Sequence, residues 1–151
     1  MVGKNAKGVE RKTPFWKIIQ RYNGKSFLSG GQGPDAYDCL GLILAILREL
    51  DKIGEIKIFD GYTIDNYHLF YQGDKDAADR ELVKFYEQFG DHIEVYEKVA
   101  GDPIIVESKS GRLFPAIYVG NGNFIAAFTD VGVRVFPLKD TLMKCVKARR
   151  L

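Results

Sequence analysis

At 151 residues, 46% hydrophobic and 28% charged, the chain has the size and composition of one globular domain with enough apolar material for a real core. Two cysteines, Cys39 and Cys145, and two separated histidines, His68 and His92, exclude a disulfide scaffold and offer no zinc-ligand spacing, so neither a metal nor a cofactor is expected. The net charge of +2 is unevenly placed: residues 1–12 carry four cations against one acid, residues 139–151 five against one, and the body between them is acidic.

Basic ends of this kind read as solvated tails or as arms that dock on neighbouring subunits. A nucleic-acid groove would interleave basic and aromatic residues, and none do so here, so nucleic acid is not the expected partner. "CLGLILAIL" is too short to span a bilayer and runs into "RELDK", which argues against membrane insertion. "MVGKNAKGVERK" lacks the apolar segment of a secretory signal, so the chain is expected to be made in a reducing cytosol.

In chain order, residues 1–12 form the basic arm and residues 13–151 a single domain. "TPFWKIIQRYNG" predicts a helix with Thr13 as N-cap and Pro14 as its first residue. Phe15, Ile18, Ile19 and Tyr22 lie on one stripe, and Asn23–Gly24 stop it. "KSFLSGGQGPDA" reads as irregular loop. "YDCLGLILAILRELDKIG" predicts a buried central helix with Asp38 near its start and Gly54 past its end. The pattern then weakens through an aromatic stretch holding Tyr62, Tyr67, Phe70 and Tyr71. It recovers in "DKDAADRELVKFYEQFG", where Leu82, Phe85, Tyr86 and Phe89 make an amphipathic stripe. Four short apolar runs from Pro103 to Pro137 read as antiparallel strands, with a fifth near Lys144 to Lys147, and Asn121–Gly122 is a hairpin turn. Helices first and a sheet of about five strands second describe an α+β domain.

Cys39 is the one residue with chemistry in prospect. A free cysteine is usually a small hydrophobe, yet the free N–H groups and dipole of a helix start favour a thiolate. The order "DC-x-G-L" on an apolar helix, then Gly101–Asp102, then "AIYVGNGNFI" from Ala116 to Ile125, resembles the NlpC-type cysteine peptidases. These are papain-like enzymes that cut the peptide stems of bacterial cell walls. The form "DCLGL" with "REL" at the helix end is most similar to the branch found among phage tail and gene-transfer-agent proteins.

The resemblance implies a papain-like fold over nearly the whole chain, with Cys39 as nucleophile. Such a nucleophile needs a base to take the thiol proton and return it to the leaving amine. The family carries a histidine in "H-x-G-I-Y-x-G", where this chain has Phe114, and a second polar residue in "F-I-H-A", where it has Ala126. Phenylalanine carries no proton and alanine cannot orient an imidazole, so Cys39 is expected to be a vestigial nucleophile lying close to Phe114 and Ala126. His68 or His92 would have to serve as substitute base, Asp38 reads as a helix cap, and Cys145 reads as packing.

The expected function is therefore that of a degenerate NlpC-like domain in a phage tail tip or baseplate, carried in the virion and bound to other tail proteins. The alternatives are a working peptidoglycan endopeptidase and a module that still holds a peptide stem.

Overall fold

The computed structural model describes residues 13–53, 75–139 and 142–151. The basic arm, Gly54, the aromatic stretch with Tyr62, Tyr67, Phe70 and Tyr71, and His68 lie outside the described residues.

Helix α1 (Phe15–Tyr22) buries Ile18, Ile19 and Tyr22, the stripe its spacing predicts, with Phe15 packed partly buried beside them. It starts one residue later than expected. Pro14 is itself the N-cap, with extended ψ, and its carbonyl accepts the N–H groups of Lys17 and Ile18 without help from the Thr13 side chain. The Gly-rich loop after it is not wholly irregular: β1 (Ser26–Phe27) and β2 (Ala36–Tyr37) pair in parallel.

Helix α2 (Cys39–Glu49) is the apolar centre of the domain, with Leu40, Leu42, Ile43, Leu44, Ile46 and Leu47 all at most 1% exposed. Each such side chain contributes on the order of 1.5–3 kcal/mol by leaving water. The helix ends at Leu50, ahead of Gly54. Asp51 takes a left-handed φ of 56° and donates its N–H to the Arg48 carbonyl, while Lys52 N–H reaches back to Leu47. That pair of bonds satisfies the last carbonyls, and aspartate is among the few residues that tolerate the conformation. Helix α3 (Lys75–Tyr86) buries Leu82, Phe85 and Tyr86, and Phe89 just beyond it, as the stripe predicts.

The sheet has six strands rather than about five: β3 (Asp91–Ile93), β4 (Pro103–Ser108), β5 (Leu113–Gly120), β6 (Asn123–Phe128), β7 (Gly132–Pro137) and β8 (Met143–Arg150). Their order is β3-β8-β4-β5-β6-β7, antiparallel throughout. The β5–β6 hairpin turns through Asn121 and Gly122, both at positive φ, the geometry a two-residue turn requires between twisted strands.

Strand β8 lies inside the sheet, between β3 and β4, so the basic C-terminal segment is not an arm that waits for a neighbour to order it. Arg149 donates to the carbonyls of Phe89 and Gly90, and Arg150 pairs with Asp102.

Alternation sorts the strand residues onto two faces. Ile105, Ile117, Ile125, Ala127 and Val133 share a core with all three helices. Ile104, Val106, Ala116, Phe124, Ala126 and Ala148, each fully buried, form a second cluster with Phe114, Phe128 and Phe136 packed on it. Among the described residues no helix is long and apolar enough to cross a membrane.

Candidate functional site: the Cys39 cleft

Asp38 precedes α2 in extended conformation and is 3% exposed. One carboxylate oxygen accepts the Gly41 N–H at 2.6 Å and the other the Gly30 N–H at 2.9 Å. Its own N–H donates to the Gly31 carbonyl. Asp38 is therefore a cap that ties the preceding loop to the helix start. Gly41 belongs to the same device, since a Cβ there would run into the Gly31 carbonyl oxygen. The "D-C-x-G" spacing thus has a local physical reason independent of catalysis, and it sets Cys39, partly exposed, at the first turn of α2.

Cys39 opens on a cleft of about 660 Å³ at the end of the sheet. Its apolar wall comes from Leu82 of α3, Leu113 and Phe114 of β5, and Ala127 and Phe128 of β6. Ser29, Ser108, Arg112, Thr129 and Asp130 supply polar groups around it. Phe114 lines the cleft with Cys39, its ring edge-on to Phe128 at 5.1 Å between centroids.

Ala126 does not line the cleft. The pleat turns it to the second cluster, where it is fully buried, and it is Ala127 that stands on the wall shared with Cys39.

No histidine is among the described residues lining the cleft. His92 sits on β3, with β8 and β4 between it and β5; its Nε2 is 3.8 Å from Glu94 Oε1, both side chains exposed. Cys145, on β8, packs against the second cluster and points its S–H at the Lys147 carbonyl. Burial pushes its thiol pKa up, so it stays protonated. No three metal-ligating side chains gather among the described residues.

The Gly101–Asp102 pair works at a distance from the cleft. Asp102 is 1% exposed, accepts the Val99 N–H at 2.8 Å, and takes the Arg150 guanidinium at 2.8 and 3.3 Å. Arg150 also donates to the Glu97 carbonyl. Arg150, by its sequence part of a cationic end, is thus half of a buried-carboxylate ion pair that spacing alone does not reveal.

A family model described as the NlpC/P60 family matches residues 24–149, most of the chain. The chain belongs to the NlpC/P60 family. No curated protein matches this NlpC/P60 domain. Among solved structures it is similar to NlpC2 from Trichomonas vaginalis, with TM-score 0.61 and 20% identity over 90% of this chain. It is also similar to the NlpC/p60 domain of the peptidoglycan hydrolase SagA, with TM-score 0.59 and 20% identity over 91% of this chain and 96% of that one.

A third similar structure is RipD from Mycobacterium tuberculosis, with TM-score 0.53 and 15% identity over 93% of this chain and 99% of that one. RipD is described as a non-catalytic NlpC/p60 domain protein with an adaptation to peptidoglycan-binding function. The chain spans 45% of the length of the Trichomonas NlpC2 structure. At these identities the likenesses speak for the fold alone.

Proposed function

We propose that this NlpC/P60 domain has lost peptidase chemistry and serves as a structural component of a phage tail tip or baseplate. In this reading it is made in the host cytoplasm and carried in the virion among other tail proteins. The supporting observation is the wall of the Cys39 cleft. It has a thiol at a helix start and an apolar lining that includes Leu113, Phe114, Ala127 and Phe128, with no imidazole among the described lining residues. None of these side chains takes a proton from a thiol or hands one to a leaving amine. Asp38, the nearest carboxylate in sequence, has both oxygens engaged by backbone N–H groups. The tail assignment rests on the "DCLGL…REL" form and on the basic arm of residues 1–12.

The opposing reading is an active peptidoglycan endopeptidase that aids cell-wall penetration with His68 as a substitute base. What favours it is that Cys39 keeps its place at the start of α2 and its cleft is open. Phage carrying Cys39→Ser separates the two. On the structural reading the particles assemble and infect at the wild-type level. Particles that assemble but fail to infect would establish the peptidase in its place. Iodoacetamide adds a direct chemical check: Cys39 should show no fast phase at pH 6, whereas rapid selective alkylation there would reveal an activating base.

A further inference from the structure

Helix α1 turns Ile18, Ile19 and Tyr22 into the core, and Glu49 of α2 accepts both the Tyr22 hydroxyl and the Arg21 guanidinium. The helix is therefore held in one orientation, and Trp16, 57% exposed, is fixed outward. An indole left in water lacks the stabilisation that burial would bring. Its ring is available to a partner outside the chain.

The surroundings of that ring are cationic. Thr13, Lys17, Gln20 and Arg21 line an open hollow of about 490 Å³ with Trp16, and no carboxylate shares that lining. The Lys17 ammonium lies 5.6 Å from the indole centroid. Arg21 is taken up by Glu49, and the end of α2 beside them carries Arg48 and Lys52 against Asp51, so it does not make the neighbourhood acidic. The chain also enters α1 from the basic arm. Over residues 1–25 seven cations stand against Glu10 as the one acid.

One indole among polar and cationic groups suits few partners. A protein interface is built on an apolar core of several side chains, and this lining offers Trp16 alone. A nucleic-acid strand needs successive rings on which to stack its bases, and here there is one. A bilayer surface needs only an amphipathic ring at headgroup level and cations against anionic lipid.

We propose that α1 and the basic arm adsorb to the surface of an anionic lipid bilayer, with Trp16 seated among the headgroups and Lys17 and the cations of the arm against their phosphates. With eight residues, α1 lies on such a surface and does not cross it. Lipid is a partner that the assembly reading does not name, and the proposal stands without that reading.

The test reads Trp16 itself, the only tryptophan in the chain. Its emission is followed as the full chain is titrated with vesicles of phosphatidylglycerol mixed with phosphatidylcholine. Parallel titrations use phosphatidylcholine vesicles, a thymidine oligonucleotide and polyglutamate. With the anionic vesicles at low salt, emission should move to shorter wavelength and acrylamide quenching should fall, both effects fading as salt rises. Co-sedimentation with the same vesicles covers the variants. Lys12→Glu combined with Lys17→Glu should weaken binding by about tenfold or more, and Trp16→Ser should weaken it while keeping the salt dependence. Trp16 and Lys17 are exposed, so thermal unfolding should stay at the wild-type midpoint. No spectral shift with the anionic vesicles overturns the proposal, as does an equal or larger shift with any of the three other probes, or unchanged binding in the charge-reversed variant. None of these outcomes bears on the dead-site or assembly readings, since neither peptidoglycan cleavage nor particle formation enters the measurement.

Discussion

Gly41 and Asp38 are coupled through a loop that folds back over the first turn of α2, and this coupling makes them separately testable. Gly41→Ala would drive its methyl group into the Gly31 carbonyl, a backbone atom that cannot swing aside, and overpacking of this kind costs about 1–3 kcal/mol. Asp38→Ala removes a cap, at about 0.5–2 kcal/mol, and also releases the Gly30 N–H. Urea denaturation should show both losses, and a Gly41→Ala midpoint equal to wild type would contradict the tight loop crossing. Asp38 was legible in the sequence as a cap, since its bond to the Gly41 N–H spans three positions, whereas the approach of Gly41 to Gly31, ten positions back, shows only in the fold. Ala126 was not legible either. Motif spacing selects it, but whether Ala126 or Ala127 faces the cysteine depends on which side of the pleat each occupies, and register is a property of the paired strands.

The elements with clear periods, α2, α3 and β4 to β7, follow from apolar spacing, while β3 and the placement of β8 do not. Asp91–Ile93 is too short to show alternation and is a strand because β8 pairs with it. A strand near Lys144 to Lys147 was expected, but not its place between β3 and β4, nor that its last two arginines are used inside the molecule, Arg149 by the carbonyls of Phe89 and Gly90 and Arg150 by Asp102.

The packed elements also set a pH response. Burial raises the pKa of Tyr86, of Tyr22 and of the Cys145 thiol, with Glu49 adding to the effect at Tyr22. The folded chain therefore keeps protons that the unfolded chain releases above about 8.5 for cysteine and about 10 for tyrosine. The stabilisation from these groups is complete below those values and is lost as pH rises through the higher folded-state values. Urea midpoints measured from pH 7 to pH 11 should hold level and then fall above about 9. A level midpoint to pH 11 would mean that these groups are not buried as described.

At the scale of the whole molecule, an NlpC/P60 fold is present without the imidazole that its chemistry requires among the described residues of the cleft. Family membership was readable because its anchors are structural: Asp38 and Gly41 build a helix start, Gly101–Asp102 holds β8 through Arg150, and Asn121–Gly122 turns a hairpin. Such features serve the fold whether or not the chain is active, so they report the fold more faithfully than the reaction.

If assembly is the role, the arm should matter to particles and not to the domain. Deletion of residues 1–12 is expected to impair tail assembly while leaving thermal unfolding of the isolated domain unchanged. An assembled, infectious deletion phage would remove the arm from the proposal. The proposed loss of catalysis is decided by chromatography of purified peptidoglycan after prolonged incubation with the wild-type chain, beside Cys39→Ser and His68→Ala. The proposed reading predicts no soluble stem-peptide fragments above the buffer control from any of the three. Fragments released by the wild type and abolished by Cys39→Ser would show a working peptidase.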